Sequence, residues 1–196
     1  MAMLPIRLVA GLGNPGRQYA ATRHNAGFSF ADSLAEKLGV SMKHESRFAS
    51  DLGKQGELRI AKPTTYMNDS GRAVAALARF FAVSPGELLV VHDELDLRPG
   101  EAKLKLGGGV AGHNGLRDIQ AQLGSADFWR LRIGIGHPRD SLLPLQDVVD
   151  YVLKPPRPDE RDAIALALDR ALAAWPEIAR GDMEKAMLLL HTKASS

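Results

Sequence analysis

The sequence predicts an α/β protein: a single three-layer domain with a twisted mixed sheet flanked by helices and a helical C-terminal segment. Short apolar or alternating runs, which are typical of strands, take turns with longer stretches whose apolar residues recur at helical spacing. The 196 residues are 45% hydrophobic and 24% charged, an ordinary globular composition. We therefore expect one domain over residues 1–196 with a substantial core.

The N-terminal part predicts one strand and one helix. IRLVAGL (residues 6–12) is a short apolar run that stops at a turn, which indicates a strand. A helix is predicted from Asn25, because the apolar side chains between Phe28 and Leu38 follow helical spacing. Gly39 is suited to the C-cap of that helix.

The middle of the chain predicts further strands around one helix. LRIAKP (58–63) is typical of a strand stopped by proline, and the helix after it has Val74 and Leu77 on its apolar face. The continuous apolar run LLVV (88–91) predicts a central strand buried on both faces. EAKLKL (101–106) alternates and predicts a more exposed strand.

The remaining elements follow the glycine-rich stretch GGGVAGHNG. Leu116, Ile119 and Leu123 share one face of a predicted helix, and WRLRIGIGHP (129–138) alternates as a strand with one polar face. The last third is predicted to be helical. Its helices are expected around LQDVVDYVL, over roughly Asp159 to Trp175 and over Met183 to Leu190, with Pro176 ending or kinking the second.

The composition excludes several classes of protein. There is no cysteine, which rules out disulfides, a thiolate nucleophile and a zinc–thiolate site. No apolar run approaches the length of a membrane span, and MAMLPIRLVA lacks the long apolar region of a signal peptide. We therefore expect a cytoplasmic protein with no membrane partner.

The charge is nearly balanced overall but not along the chain. The formal net charge is +2, whereas residues 97–139 carry seven basic and three acidic side chains. This basic segment contains Lys103, Lys105, Arg117, Arg130 and Arg132. It suits phosphate contacts, although charge alone favours an ordinary solvated surface.

Polar side chains with catalytic potential follow several predicted strands or precede helices. They are Asn14, His24, Asn25, Asn68, His92, Asp93, His113 and Asn114. A histidine held by a carboxylate can act as a general base on water, and carboxamides can donate to an oxyanion. Neither G-x-S-x-G nor H-E-x-x-H is present. The inventory therefore favours attack by activated water on an ester or a similarly reactive carbonyl.

Three alternatives remain open at this point. GLGNPG (11–16) has the letters of a dinucleotide fingerprint, but Asn14-Pro15-Gly16 is typical of a turn, and the acids Asp32 and Glu36 fall inside a predicted helix. A metallohydrolase would use His92, Asp93 and His113, which lack the usual ligand spacing. A protein of the same fold that only binds RNA is the third alternative.

Six motifs together resemble the bacterial peptidyl-tRNA hydrolase family. They are GLGNPG, TRHNAG, KPTTYMN, HDELDL, KLGGGVAGHNGL and RLRIGIGHP, in this order. The resemblance implies a monomeric cytoplasmic enzyme with a mixed twisted sheet. It implies hydrolysis of the ester between a peptide's C-terminal carbonyl and the terminal ribose of tRNA, with no metal and no cofactor.

The resemblance also implies roles for single residues. His24 matches the family's catalytic histidine, and Asp93 matches the acid that supports it. Asn14 matches the position that distinguishes N-blocked from free aminoacyl esters. Positions that contact the substrate's peptide and its tRNA end are matched by Tyr19, Tyr66, Asn68 and Asn114. From the basic segment we expect Lys103, Lys105 and Arg132 to contact phosphates.

Overall fold

A computed structural model of the protein describes residues 3–191, and one seven-stranded sheet runs through them. The strands are β1 Leu8–Gly11, β2 Lys43–Glu45, β3 Ser50–Gln55, β4 Leu58–Pro63, β5 Leu88–Glu94, β6 Ala102–Leu106 and β7 Trp129–Gly134. The helices are α1 Ala26–Leu38, α2 Ser70–Phe80, α3 Asn114–Leu123, α4 Val148–Val152, α5 Pro158–Ala173, α6 Trp175–Ala179 and α7 Met183–His191.

The sheet is mixed, with a parallel centre and antiparallel edges. The strand order is β2-β3-β4-β1-β5-β7-β6, and β4, β1, β5 and β7 run parallel. β2, β3 and β6 pair antiparallel with their neighbours. Gly11 at the end of β1 is in register with Val91 in β5. The residues that follow β1 therefore come close to the last residues of β5, where ligands of such sheets usually bind.

Helices cover both faces of the sheet, which makes three layers. In β5, Leu89 and Val91 belong to a core that includes Phe30 of α1 together with residues of α5, α6 and α7. Leu88 and Val90 belong to the opposite core with residues of α2 and α3. Because a central strand faces helices on both sides, every position of the run LLVV must be apolar. The predicted three-layer α/β fold with a mixed sheet is confirmed.

Most predicted elements are present with small shifts in their ends. α1 ends at Gly39, whose φ of 66° is the left-handed C-cap that glycine favours. Pro176 lies in the first turn of α6, directly after α5, where its ring cannot continue the previous helix. The hairpin formed by β2 and β3 was not predicted, because all three residues of Lys43–Glu45 are exposed and Ser50–Gln55 has no clear alternation.

Within residues 3–191, none of the helices has the length and apolar character that crossing a membrane would require.

Candidate active site

A single carboxylate joins two histidines at the end of β5. His24 Nδ1 lies 2.9 Å from Asp93 Oδ2, and His113 Nε2 lies 2.9 Å from Asp93 Oδ1. The side chain of Asp93 is 2% exposed, whereas those of His24 and His113 are 13% and 10% exposed. Both oxygens of a buried carboxylate are therefore satisfied by imidazole rings that reach the edge of solvent.

The hydrogen bonds assign a tautomer to each histidine. His113 is the N-cap of α3, and its Nδ1 accepts a hydrogen bond from Leu116 N at 3.3 Å. Because Nδ1 accepts, the proton of neutral His113 lies on Nε2, which donates to Asp93. His24 donates to the same carboxylate through Nδ1, which leaves the lone pair of neutral His24 on Nε2. His24 thus keeps a free basic nitrogen, and His113 does not.

The carboxylate makes His24 more basic than an ordinary histidine. Burial lowers the pKa of His24, but the charge of Asp93 and their hydrogen bond outweigh burial, so its pKa is raised above the usual value. For Asp93, burial raises the pKa, but the charges and hydrogen bonds of His24 and His113 hold it well below the usual range. Asp93 is therefore ionised, and its charge stabilises a protonated His24.

Close packing of α1 on the sheet brings His24 to Asp93. His24 lies in a 3-10 turn, Arg23–Asn25, that leads directly into α1. A Cβ atom at Gly27 would overlap the Val91 carbonyl oxygen and the backbone of Leu12, so only glycine allows this approach. The start of α1 therefore lies against the ends of β1 and β5.

A pair of asparagines holds the turn after β1 against the turn that carries His24. Asn14 N donates to Asn25 Oδ1 at 2.8 Å, and Asn25 Nδ2 donates to Asn14 O at 2.9 Å. The Asn14 side chain also has a fixed orientation, because its Oδ1 accepts from Met67 N at 2.7 Å. Its Nδ2 is left as the donor that is free to meet a ligand. Asn14 is therefore a positioned donor and more than a turn residue.

These groups line one cleft of about 710 Å³. His24 and Asp93 contribute to its lining, and Tyr66 and Asn114 are exposed on its walls. Apolar side chains of α4 and its C-cap also line the cleft, namely Val148, Val149, Val152 and Leu153. Six of the seven residues predicted to act in catalysis or substrate binding therefore line this cleft: Asn14, His24, Tyr66, Asn68, Asp93 and Asn114.

The basic residues of β6 and β7 differ in their availability. Lys105 and Arg132 line the cleft, and Arg132 Nε is paired with Glu94 Oε1 at 2.8 Å. Arg130 is 2% exposed and donates to the carbonyl oxygens of Gly109 at 2.7 Å and Gly108 at 3.0 Å. Arg130 also lines the cleft, but its guanidinium is used to hold the glycine-rich loop.

The statistical model of the peptidyl-tRNA hydrolase family matches residues 8–196. The chain belongs to the peptidyl-tRNA hydrolase family.

Several members of the peptidyl-tRNA hydrolase family are similar over the full chain. The peptidyl-tRNA hydrolase of Aromatoleum aromaticum is 55% identical over 192 residues, which cover 97% of this chain and 96% of that protein. The peptidyl-tRNA hydrolase of Azoarcus sp. strain BH72 is 53% identical over 195 residues, 98% of this chain and 88% of that protein. The resemblance drawn from the six motifs and the expectation of a hydrolase are confirmed.

Crystal structures of the peptidyl-tRNA hydrolase family have the same fold. A complex of peptidyl-tRNA hydrolase with N-propanol superimposes with a TM-score of 0.91 at 40% identity and covers 100% of both chains. The enzyme of Acinetobacter baumannii superimposes with a TM-score of 0.89 at 41% identity, covering 97% of this chain and 96% of the other.

Two residues that were expected to contact substrate, Tyr19 from the resemblance and Lys103 from the basic segment, are not part of the cleft lining. Tyr19 is half-buried in the 3-10 turn Arg17–Tyr19, where its carbonyl accepts a hydrogen bond from Thr22 Oγ at 2.8 Å. Lys103 lies on β6 opposite Arg132. Within the described part of the chain, residues 3–191, it is not one of the residues that line the cleft. Their roles in substrate binding stay predictions.

Neither the dinucleotide alternative nor the metal alternative fits the geometry as well as peptidyl-tRNA hydrolase family membership does. GLGNPG is followed by the three-residue turn Arg17–Tyr19, so no helix N-terminus is available there for a pyrophosphate. His92 is buried and its Nδ1 donates to Asp93 O, while burial and the neighbouring His113 lower its pKa to about 3. The metal-ligating types that do converge in the described part of the chain are His24, Asp93 and His113, within 4.8 Å of one another. The protonated Nε2 of His113 does not suit a metal ligand.

The sequence did not predict the contacts that two residues, His113 and Asn25, make in and beside the cleft. His113 was counted among the polar side chains and weighed as a metal ligand, but its bond to Asp93 as a second donor was not predicted. Asn25 was counted among the polar side chains before a helix, but its two hydrogen bonds to the Asn14 backbone were not predicted. The available signal for Asn25 was its place in TRHNAG, where this polar residue directly follows the histidine.

Proposed function

We propose that this protein hydrolyses the ester between the C-terminal carbonyl of a peptide and the terminal ribose of tRNA, with His24 as general base and Asp93 as its support. The observation that carries the proposal is the hydrogen bond of 2.9 Å between His24 Nδ1 and Asp93 Oδ2 at the rim of the cleft. It supports a neutral His24 whose free Nε2 can accept a proton from water. The proposal includes a cytoplasmic location and a monomer, as the resemblance implies.

The reaction needs one water and no cofactor. His24 Nε2 takes a proton from water while the water oxygen bonds to the ester carbonyl carbon. The resulting imidazolium is stabilised by the ionised Asp93, whose own pKa is held low by His24 and His113. The bond from carbon to the ribose oxygen then breaks, and the imidazolium returns its proton to that oxygen. Peptide acid and free tRNA leave.

The developing oxyanion requires a donor that is already in place. The loop before α3 supplies two kinds of donor, the exposed carboxamide of Asn114 and backbone N–H groups. Arg130 restrains this loop through the carbonyl oxygens of Gly108 and Gly109. A restrained loop loses little entropy when it meets the charged intermediate, so its donors are effective there.

Asn14 is suited to recognise the blocked amino group of the substrate. Its Oδ1 is bonded to Met67 N, so the side chain offers Nδ2–H to the cleft. We propose that Nδ2 donates to the carbonyl oxygen of the last peptide bond, with Asn68 beside it. A free aminoacyl ester lacks this carbonyl and brings an ammonium whose burial without a partner is costly. Hydrogen bonding and desolvation therefore favour the N-blocked substrate.

The tRNA end would meet the basic side of the cleft. Lys105 is exposed on β6, and Arg132 of β7 lines the same cleft with Glu94 as its present partner. A phosphate can replace Glu94 on the guanidinium or share it, while Lys103 extends the same strand. Tyr66, which is 60% exposed, is placed to stack on a base or on the peptide.

The test compares N-acetyl-aminoacyl-tRNA with the unblocked aminoacyl-tRNA as substrates of the purified protein. The proposal expects release of free tRNA from the blocked substrate and little release from the unblocked one, with chelator having no effect. Binding of both without release of tRNA would instead support the alternative of an RNA-binding protein. Loss of activity in chelator would favour the metal alternative.

A further inference from the structure

The residue directly before His24 is a buried arginine that reaches across to the C-terminal helices. Arg23 is 7% exposed, and its Nη2 forms an ion pair of 2.9 Å with Glu160 Oε1. Its Nη1 donates to Tyr151 O at 3.0 Å, and its guanidinium stacks 3.9 Å from the centre of the Tyr151 ring. The backbone N–H of Arg23 donates to Lys154 O at 3.0 Å. Backbone and side chain of one residue therefore fix the start of the His24 turn.

Two of the partners of Arg23 lie in or just after α4, the helix that contributes apolar side chains to the cleft. Tyr151 and Lys154 lie at the C-terminal end of α4, whose carbonyls carry partial negative charge and attract a cation. The neighbouring α4 residues Val149 and Val152 line the same cleft as the polar groups. The guanidinium therefore connects the turn of the proposed base with the apolar wall.

Glu160 extends the same connection to α5. Its Oε1 also accepts the backbone N–H of Arg157 at 3.0 Å, which satisfies a free donor at the start of that helix. Tyr151 Oη donates to Ile135 O at 2.7 Å, which ties α4 to the residue after β7. We call the side chains of Arg23, Tyr151 and Glu160 the arginine junction.

Stability alone does not account for a buried ion pair at this place. Removing two charges from water offsets most of their attraction, and well-packed apolar replacements of such pairs are often neutral or stabilising. What a pair of this kind does provide is a fixed geometry, because a guanidinium fork and a carboxylate meet in few arrangements. The arginine junction thus has the character of a positioning device.

We infer that Arg23 and Glu160 are positioning residues that hold the His24 turn in fixed register with α4, so that the base faces substrate lying against the α4 wall. The inference rests on the proposed function, because it assigns the junction to the base of that reaction. Neither side chain touches substrate. Both act through the position of His24, together with Asp93, the packing of α1 and the Asn14–Asn25 pair.

The experiment uses the full chain with Arg23→Met and Glu160→Met together, so that no buried charge is left without its partner. We expect kcat for N-acetyl-aminoacyl-tRNA to fall about 10- to 100-fold, because small misplacements of a catalytic group have effects of this size. KM should change little. The acid limb of the pH profile of kcat should move to lower pH, because a looser contact between His24 and Asp93, which also bonds His113, raises the pKa of His24 less. A role in stability alone would move neither kcat nor the limb.

Ala167→Gly is the matched control. Ala167 is fully buried in α5 two turns after Glu160, so this change weakens the same helix and leaves the junction intact. Its melting temperature should fall while kcat and the pH profile stay as in the unchanged protein. Unchanged kcat and an unchanged acid limb in the double variant would overturn the inference, while turnover by the unchanged protein would leave the proposed function standing.

Arg23→Lys replaces the double variant if the latter does not fold. The ammonium keeps a charge pair with Glu160 but cannot also hold the Tyr151 carbonyl as the guanidinium fork does. A fall in kcat at an unchanged melting temperature would support the inference. Normal kcat would overturn it.

Discussion

Asp93 receives a hydrogen bond of 2.9 Å from His24, a residue 69 positions earlier in the chain, and so joins the end of β5 to the turn before α1. The contact fixes which nitrogen of His24 is free and raises its basicity. Every step of the proposed hydrolysis depends on these two consequences. The predictions below test them and the residues around them.

Loss of the base should abolish most turnover without loss of the fold. For His24→Ala we expect kcat for N-acetyl-aminoacyl-tRNA to fall by about two to four orders of magnitude, the usual contribution of a general base. His44→Ala is the matched control, because His44 also contacts an aspartate, Asp51 at 3.1 Å, but lies exposed on β2. Near-normal kcat for His24→Ala in a single-turnover assay would remove this histidine from the mechanism.

Asn14→Asp tests the donor that we propose recognises blocked substrates. Aspartate can still accept the bond from Met67 N but has no Nδ2–H to give, so the contact with the substrate's peptide carbonyl is lost. We expect kcat/KM for the blocked substrate to fall roughly tenfold or more, and the preference over free aminoacyl-tRNA to narrow. A variant that keeps the full preference would show that Asn14 does not discriminate. The measurement is the ratio of the two kcat/KM values.

Lys105 and Arg132 should each contribute a salt-dependent share of tRNA binding. For Lys105→Ala or Arg132→Ala we expect weaker binding of uncharged tRNA and a plot of log affinity against log salt whose slope is smaller by about one. Lys54→Ala is the control, because Lys54 is an exposed residue of β3 far along the sheet, and it should leave the slope unchanged. An unaltered slope for both cleft variants would mean that the phosphates bind elsewhere.

Buried His92 should make the protein less stable in acid. Burial and the nearby His113 lower its pKa to about 3, whereas in the unfolded chain the value returns to about 6.5. Between pH 6.5 and 3 the unfolded chain therefore binds a proton that the folded protein does not. The free energy of unfolding should fall as pH is lowered, by up to about 1.4 kcal/mol per pH unit from this one group.

Urea titrations between pH 4.5 and 6 would measure this slope. His24, with its raised pKa, contributes stability below pH 6.5 that is lost as pH rises through the raised value, and Asp93 acts only below its ordinary pKa, so neither dominates this window. His92→Gln carries no titrating group and should give a shallower slope. Equal slopes for the two proteins would contradict a buried neutral His92.

Local sequence pattern was sufficient for the sheet centre and for most helices. Leu88 to Val91 must be apolar because β5 meets a core on each face. The continuous apolar run LLVV therefore predicts a strand buried on both faces. The edge hairpin was not predictable in the same way. Its strand Lys43–Glu45 is exposed and is ordered by pairing with β3, a contact that leaves no hydrophobic period.

The polar groups of the site were predictable as an inventory but their connections were not. The role of His113 depends on the path of the loop before α3, which Arg130 fixes from 21 residues away. Arg130 itself looked like a surface cation, because a strand with alternating arginines usually faces solvent. Such assignments depend on tertiary contacts that carry no local period, and only the folded chain reveals them.

The tautomer and titration of His24 test the central claim most directly. In a ¹⁵N NMR titration of the full chain, the account predicts that neutral His24 carries its proton on Nδ1 and that its midpoint lies above the ordinary histidine value. The same midpoint should appear as the acid limb of kcat/KM for N-acetyl-aminoacyl-tRNA. Neutral His24 protonated on Nε2, or a midpoint clearly apart from the kinetic limb, would contradict the assignment of His24 as the base held by Asp93.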